Sequence, residues 1–273
     1  MNDRVEDHYG ADVSIAVVIA GSLRKAGKDL SKLAPADLAT VDEFHIRGRQ
    51  STLELAQSLK LAAGSRVLDI GSGLGGPART LAEVYGCHVT GIDLTNAFCE
   101  AATTLSEWVG LGDRVTFQQG DATHLPFPDG RFDAAMTIHV AMNIARKDRM
   151  YAEARRVLRA GGRFAGDDGV QGGGGEVLFP VPWAREPSIS HLATPDEMQS
   201  LLTGAGFEIV EVHDSTEEGQ SWFEAMAARM AAGAVPPVTF QAFLGDAFPA
   251  MARNQVANLR ERRIRTVTYV CEA

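Results

Sequence analysis

The residues best suited to chemistry in this sequence lie in a glycine-rich segment at 69–77, Asp-Ile-Gly-Ser-Gly-Leu-Gly-Gly-Pro. Glycines at a strand-to-helix turn let the backbone approach a ligand closely, and the helix that follows directs its positive end at an anion. Gly71, Gly73 and Gly76 also satisfy the GxGxxG pattern of dinucleotide-binding folds. The segment therefore predicts a cofactor site but leaves two kinds of cofactor open.

Three carboxylates bear on that choice. Asp93 lies about twenty residues after the loop, where an acidic residue binds ribose hydroxyls in either kind of site. Asp69 precedes the first glycine by two residues, a position that is usually apolar in a dinucleotide-binding strand. Asp121 follows the third apolar run, and a further hydrogen-bond acceptor at that edge suits an adenine amino group. Asp69 and Asp121, with a terminal antiparallel pair of strands in place of further parallel units, favour S-adenosylmethionine over a nicotinamide dinucleotide.

The secondary-structure elements that must position these residues are strands and helices in regular alternation. Short apolar runs are separated by helical stretches at intervals of roughly 20 to 25 residues, as in βα units of a parallel sheet. A further run at 207–212 and a last one at 265–271 predict an antiparallel pair at the end of the sheet. The fold class predicted is α/β, with a Rossmann-like, seven-stranded, mostly parallel sheet, helices on both faces and an antiparallel last strand. The earlier runs are 66–70, 88–92, 115–117, 132–138 and 162–165.

Two helical regions flank this alternation. Residues 1–60 are expected to form an N-terminal helical cap or lid, and residues 61–273 the core. A second helical cap at 215–262, with helices near 217–232 and 238–262, precedes the final strand. Aromatic and methionine side chains of this region and of the segment 179–183 either wall an apolar substrate pocket or belong to the core: Trp183, Trp222, Phe223, Met226, Met230, Phe240, Phe243 and Phe248.

Local signals mark particular turns. Ser51 and Glu54 are spaced as a capping box that starts a helix, and Thr194 with Glu197 predicts another such start. The run of four glycines at 172–175 is typical of a flexible connector within the fold.

Composition excludes several classes of function. The net charge is −9, and no extended basic stripe interrupts it, which argues against a nucleic-acid substrate. No apolar run approaches the eighteen or so residues of a membrane span. The acidic start lacks an apolar signal core, so we expect a cytoplasmic protein. The three cysteines, Cys87, Cys99 and Cys271, are scattered along the chain, so we expect reduced thiols and no metal site. A small-molecule partner is favoured, with a monomer or a homodimer left open.

In order and spacing, four segments resemble the motifs of class I S-adenosylmethionine-dependent methyltransferases. They are 67–77 (motif I), 91–94, 120–127 and 155–164, which together span most of residues 60–212. Within that class, 42–50 and 137–144 resemble bacterial enzymes related to sarcosine/dimethylglycine N-methyltransferases and phosphoethanolamine methyltransferases.

The resemblance implies a set of cofactor contacts. Asp69 orients the loop or reaches the cofactor ammonium through water, and Gln50 or Ser51 binds the methionine carboxylate. The remaining contacts run from the methionine end to the adenine end: Gly71, Ser72 and Gly73 at the methionine group, Asp93 on the ribose hydroxyls, Leu94 against the adenine, and Asp121 with Ala122 at the adenine amino group.

His139 and Asn143 follow the fourth strand, where the sulfonium methyl group is expected, and His45 lies in the N-terminal segment. A neutral imidazole there can take a proton from the acceptor, so His139 is either a base or a cofactor contact. The reaction predicted is displacement of the methyl group by a nitrogen or oxygen nucleophile of a small molecule, with Arg49, Trp183 and Trp222 as candidate substrate contacts. An NAD(P)-dependent oxidoreductase and a non-catalytic cofactor-binding protein remain as alternatives.

Overall fold

The central sheet has seven strands. The computed structural model describes residues 14–233 and 244–273. The strand order is β3-β2-β1-β4-β5-β7-β6. In chain order the strands are β1 Arg66–Ile70, β2 His88–Asp93, β3 Val115–Gln119, β4 Phe132–Ile138, β5 Leu158–Gln171, β6 Glu208–Asp214 and β7 Ile264–Glu272.

Strands β1 to β5 are parallel to one another, and β7 is inserted antiparallel between β5 and β6. Strands β1 and β4 are almost wholly buried, because parallel sheets carry helices on both faces and their strands are apolar throughout. This confirms the predicted fold class. The carboxyl ends of β1, β2 and β4 meet at one edge of the sheet, and most of the predicted site residues lie at this edge.

Nine α-helices lie within the described residues. They are α1 Ile15–Lys25, α2 Pro35–Asp42, α3 Arg49–Ser58, α4 Gly76–Tyr85, α5 Asn96–Trp108, α6 Lys147–Val157, α7 Pro195–Gly204, α8 Thr216–Ala231 and α9 Phe248–Arg260. The predicted cap helix at 217–232 corresponds to α8. The one predicted at 238–262 corresponds to α9, which begins ten residues later; Phe240 and Phe243 lie outside the described residues.

The described N-terminal helices pack on the side of the core. Ile15, Ile19 and Leu23 on α1 form one apolar cluster with Leu38 of α2 and Leu105 of α5. Since α1 has an apolar face at helical spacing, its burial against α5 follows from the pattern. The assignment of residues 1–60 as a lid stays a prediction.

The predicted helix start at Ser51 is wrong in its detail. Helix α3 begins at Arg49, two residues earlier, so Ser51 lies inside the first turn. Its hydroxyl donates to Asp167 Oδ2 over 2.5 Å rather than capping the helix. Glu54 instead accepts hydrogen bonds from Arg47 and Gln50. The capping box of Thr194 and Glu197 at α7, by contrast, is confirmed.

The glycine run at 172–175 is not a flexible connector. Gly172 donates a backbone hydrogen bond to the carbonyl of Arg263, and Gly174 to that of Arg262, both over 2.9 Å. A Cβ atom on either glycine would overlap a carbonyl oxygen at the end of α9. The glycines are therefore needed for close backbone packing between the end of β5 and the turn that leads into β7.

Candidate active site

A cavity of about 430 Å³ opens at the carboxyl edge of the sheet. This volume lies within the range of pockets that hold small molecules and cofactors. The loop after β1, the ends of β2 and β4 and the end of α2 all contribute to its lining. Most of the predicted cofactor and catalytic residues lie on it: His45, Gly71, Ser72, Gly73, Asp93, Leu94, Asp121, Ala122, His139 and Asn143.

The glycine loop is held in a conformation that only glycine adopts easily. Gly71 has a φ of 76°, and a Cβ atom there would also overlap the side chain of Val140, which follows β4. The amide of Gly73 donates to Asp93 Oδ2 over 2.8 Å. Strand β2 therefore fixes the loop of β1, and both present backbone to the same cavity.

The carboxylates of the adenosine end also brace their own turns. Asp93 Oδ1 accepts from the amide of Thr95 over 2.9 Å, and Asp121 Oδ1 accepts from the amide and the hydroxyl of Thr123, each over 2.8 Å. Burial raises the pKa of Asp93 while these amide hydrogen bonds oppose the rise. These hydrogen bonds fix both carboxylates on the cavity wall, and their contacts with a ribose and an adenine amino group stay predictions.

Five buried side-chain atoms in the described part of the chain have no hydrogen-bond partner: Asp42 Oδ1, Asp69 Oδ2, Ser72 Oγ, Arg79 Nε and His139 Nε2. Buried polar groups are nearly always paired, so each orphan needs an explanation. Three of the five residues line the cavity, and Asp69 is the penultimate residue of the strand that leads into the glycine loop. This concentration fits a polar ligand whose groups complete these hydrogen bonds.

The charge of the cavity favours a cationic ligand. Asp42, Asp93 and Asp121 line it, whereas Arg146 is the one arginine or lysine on its described wall, and that side chain is paired with Asp148. A pyrophosphate would bring two further negative charges close to these three carboxylates. The sulfonium and ammonium groups of S-adenosylmethionine are instead attracted by them, which disfavours the oxidoreductase alternative.

Two imidazoles, His45 and His139, lie on the cavity wall. The ring centroids of His45 and His139 are 6.1 Å apart. Burial lowers the pKa of His139 to about 3, with His45 adding to the effect, and burial lowers the pKa of His45 to about 4. Both rings are therefore neutral at pH 7. His45 Nε2 lies 2.9 Å from the carbonyl oxygen of Gly48, whereas His139 Nε2 has no partner.

The sequence analysis did not identify two consecutive acids, Asp167 and Asp168, in the carboxyl-terminal half of β5. Asp168 Oδ1 accepts from the amides of Val140 and Ala141 and so holds the segment after His139. Burial, with Asp167 adding to it, raises the pKa of Asp168 to about 7. Asp167 receives the Ser51 hydroxyl and joins β5 to α3. The available signal was two adjacent carboxylates inside an otherwise apolar strand.

Asn143 lines the cavity and braces its wall. Its side-chain amide donates to the carbonyl oxygens of Trp183 and Ile189, over 2.8 and 3.1 Å. Both amide hydrogens are thus used, so only the Oδ1 atom is left to face an acceptor. Trp183 is 4% exposed, donates to Ser190, and lies behind this wall rather than on it. Its predicted contact with substrate stays a prediction.

A second, wider cleft separates the segment at 39–50 from α8, and its described wall contains Arg49, Gln50 and Trp222. Arg49 is engaged with Thr80 and Glu83, and Gln50 with Glu54. Neither Gln50 nor Ser51 lines the cofactor cavity, so their contact with the methionine carboxylate stays a prediction. His45 is the one residue on the described walls of both the cavity and the cleft.

Comparison with known proteins agrees with this geometry. Residues 68–166 match the family model described as a methyltransferase domain. The chain is 32% identical over 198 residues to the 27-O-demethylrifamycin SV methyltransferase of Amycolatopsis mediterranei, covering 68% of this chain and 69% of that protein. The chain belongs to the class I S-adenosylmethionine-dependent methyltransferases. This confirms the family and the cofactor predicted from the motifs.

Other relatives match over less of their length. The chain is 33% identical to the methyltransferase GfsG of Streptomyces halstedii over 67% of this chain and 66% of that protein. It is 40% identical to the sterol 24-C-methyltransferase ERG6B of Gibberella zeae over 62% of this chain, but the match spans only 47% of the sterol enzyme.

Solved structures confirm the fold. A geranyl diphosphate methyltransferase in complex with geranyl diphosphate and sinefungin has a TM-score of 0.71 at 18% identity, over 99% of this chain and 98% of that one. The phosphoethanolamine N-methyltransferase 2 of Haemonchus contortus has a TM-score of 0.70 at 21% identity, over 85% and 54%. The [4+2]-cyclase SpnF has a TM-score of 0.65 at 26% identity, over 82% and 80%.

Within residues 14–233 and 244–273, no helix combines the length and apolar character needed to cross a bilayer. The same residues contain no group of three or more histidine, cysteine or acidic side chains placed to hold a metal ion. Cys87, Cys99 and Cys271 are buried, and none of them is in a disulfide bond.

Proposed function

We propose that this protein transfers the methyl group of S-adenosylmethionine to a hydroxyl oxygen of a small, largely apolar molecule. The observation that carries the proposal is the buried, unpartnered Nε2 of the neutral His139, which lies beside the glycine loop on the cofactor cavity. When bound, the cofactor supplies an electrophilic methyl group. The protein's task is to orient the acceptor, exclude water and receive one proton.

His139 receives that proton. As the carbon–oxygen bond forms and the carbon–sulfur bond breaks, the sulfur takes the electron pair and the acceptor hydroxyl becomes strongly acidic. A neutral imidazole with a pKa of about 3 is a weak base, but it is basic enough to accept a proton from such a group. Asn143 Oδ1 orients the hydroxyl, and Asp168 fixes the segment between them through the amides of Val140 and Ala141.

The acceptor end of the cavity is largely apolar. Apart from His139 and Asn143, its wall beyond the glycine loop consists mainly of Phe44, Val140, Ile144, Ala145, Ile189 and Leu244, with His45, Arg146 and His191. Such a surface suits an apolar ring system with one reactive hydroxyl. The relatives above 30% identity include an enzyme named for a demethylrifamycin, which supports a natural-product hydroxyl as the acceptor.

A small amine or amino acid of the sarcosine type is the second candidate acceptor. Arg146 is the observation in its favour, because it is the one described arginine or lysine side chain on the cavity wall and its guanidinium is able to bind a carboxylate. That guanidinium already makes two hydrogen bonds with Asp148 and is 62% exposed, so the hydroxyl acceptor is the better fit. The protein acts in the cytoplasm as a monomer or homodimer under either proposal.

The test combines binding with turnover. Purified protein is first titrated with S-adenosylmethionine and with NADH, and we expect binding of the former alone. It is then incubated with hydroxylated polyketides, sarcosine and phosphoethanolamine, and the release of S-adenosylhomocysteine and the product mass are measured. Methylation confined to the amines would overturn the choice of acceptor. Cofactor binding with no methylated product from a broad hydroxyl panel would favour a non-methylating protein, a role compatible with the similarity to a cyclase.

A further inference from the structure

We infer that Asp42, the last residue of α2, holds the ammonium group of the cofactor's methionine moiety through its Oδ1 atom. The side chain is 5% exposed, it lines the cofactor cavity, and its Oδ1 has no partner in the described part of the chain. This role rests on the cofactor alone and is independent of the choice of acceptor.

Arg79 fixes the Asp42 carboxylate from behind. The guanidinium is wholly buried and donates to Asp42 Oδ2 over 2.6 Å. It also donates to the carbonyl oxygens of Leu74 and Ala102 and to the hydroxyl of Ser106. Since one carboxylate oxygen is committed to Arg79, the other is left in a fixed position beside the glycine loop.

The backbone around Asp42 reinforces its negative charge. Because α2 ends at this residue, the partial negative charge of the helix carboxyl terminus adds to that of the side chain. A Cβ atom on Gly76 would lie 2.8 Å from Asp42 Oδ1, so the carboxylate packs directly against the backbone where α4 begins. This places it next to the loop that lines the methionine end of the cavity.

Asp69 is the alternative candidate to bind the same ammonium group. Its Oδ2 is also unpartnered, but the residue does not belong to the described cavity wall. Burial, with Glu43 and Asp93 adding to it, raises the pKa of Asp69 to about 8, so this group is protonated at pH 7. Burial raises the pKa of Asp42 only to about 6, because Arg79 opposes the rise, and Asp42 is therefore the ionised partner.

The decisive comparison uses two ligands that differ only in the amino-acid portion. S-adenosylhomocysteine carries the ammonium group, whereas 5′-methylthioadenosine lacks it, and calorimetry measures the dissociation constant of each. In Asp42→Asn we expect the affinity for S-adenosylhomocysteine to fall about tenfold or more, as for loss of a hydrogen bond between charged groups. The affinity for 5′-methylthioadenosine should change less than about twofold, which is within the error of such mutant comparisons.

Asp37→Asn is the matched control, because Asp37 lies on the same helix and bonds only Lys28 and the amide of Ala34. It should leave both affinities unchanged. Equal losses for both ligands in Asp42→Asn would show a merely structural role and overturn the inference, as would no loss for either. The same selective loss in Asp69→Asn, but not in Asp42→Asn, would transfer the role to Asp69.

If Asp42→Asn fails to fold, the double variant Asp42→Asn/Arg79→Gln removes both members of the buried ion pair and is measured in the same way. The ratio of the two affinities is again expected to fall about tenfold. An unchanged ratio in a folded double variant would overturn the inference. Failure of the proposed methyl transfer is separate, because it leaves ligand binding by the unaltered protein intact.

Discussion

His139 has a backbone φ of 54°, a left-handed conformation that is uncommon for residues other than glycine, although asparagine, aspartate and histidine adopt it more often than most. Such a conformation persists only where the surrounding structure holds it, and it is often found at functional sites. The amide of His139 donates to the carbonyl of Asp167 over 2.7 Å, and Asp168 holds the two amides that follow. Strand β5 thus fixes the imidazole that we assign as proton acceptor.

The first prediction concerns this imidazole. Asparagine tolerates the left-handed conformation, so His139→Asn removes the base with little backbone strain. We expect turnover to fall by about 10²–10⁴-fold while the affinity for S-adenosylhomocysteine changes little. Steady-state kinetics and calorimetry measure the two. His88→Asn, at the exposed start of β2, is the control; an unchanged turnover number in His139→Asn would remove the proposed role.

The second prediction separates backbone strain from steric overlap in the glycine loop. Gly71→Ala introduces both, because its φ is 76° and its Cβ overlaps Val140; we expect cofactor binding to be lost. Gly110→Ala introduces strain alone, since φ is 69° and no atom lies within 4 Å of the Cβ position. The control should lower the free energy of unfolding by about 1 kcal/mol and leave binding intact. Retained cofactor affinity in Gly71→Ala would contradict the described loop geometry.

At the scale of elements, close backbone contacts join the end of β5 to the turn that follows α9, and the side chain of Gln171 adds a hydrogen bond to the carbonyl oxygen of Arg263. Gly172 and Gly174 bring the two segments into contact where side chains would separate them. The cap therefore has a fixed connection to the sheet at this point.

The third prediction tests this connection. A Cβ atom on Gly174 would overlap the carbonyl oxygen of Glu261, whereas one on Gly173 would meet nothing within 4 Å. We expect Gly174→Ala to reduce the free energy of unfolding by about 2 kcal/mol or more, through overpacking. Gly173→Ala should change it by less than about 0.5 kcal/mol. Equal effects in urea unfolding would support a flexible connector after all.

The strands and the cofactor loop were predictable from the sequence because their signals are local. Buried parallel strands form apolar runs, and the glycine loop and Asp93 follow two of those runs directly. Contacts between distant residues have no such signal: Ser51 and Asp167 are 116 positions apart, and Asp42 and Arg79 are 37 apart. The glycine run was misinterpreted because glycine serves flexible linkers and close backbone contacts equally well.

At the scale of the whole molecule, buried acids outnumber buried bases near the cofactor cavity. Asp69 and Asp168 have pKa values raised by burial to about 8 and about 7, far above the value of about 3.9 in an unfolded chain. These two acids therefore bind more protons in the folded protein than in the unfolded chain between about pH 4 and about pH 8. Their contribution to the stability falls as the pH rises through this range.

The fourth prediction follows from this dependence of the stability on pH. His45 and His139 have folded pKa values below the unfolded value of about 6.5, so their contribution to the free energy of unfolding rises with pH and levels off about one pH unit above that value. Above about pH 6.5 the effect of the two acids is larger, and the buried thiols, whose pKa values burial raises, act in the same direction as the acids. We therefore expect the Tm of the cofactor-free protein to fall between pH 6.5 and 8.5. Asp69→Asn should flatten this slope in scanning calorimetry. A slope identical to that of the unaltered protein would contradict the raised pKa of Asp69.

Arg79 also determines whether residues 1–60 can be separated from the rest of the chain without loss of stability. Its guanidinium is wholly buried, and its one anionic partner among the described residues belongs to the N-terminal helices rather than to the sheet. A fragment cut at the boundary between residues 60 and 61 would keep the arginine and lose the aspartate, at a cost of about 3–5 kcal/mol. Residues 1–60 and the rest of the chain are therefore coupled through the Asp42–Arg79 ion pair. Exchange of the first sixty residues between relatives should give a stable protein only when this pair is kept intact.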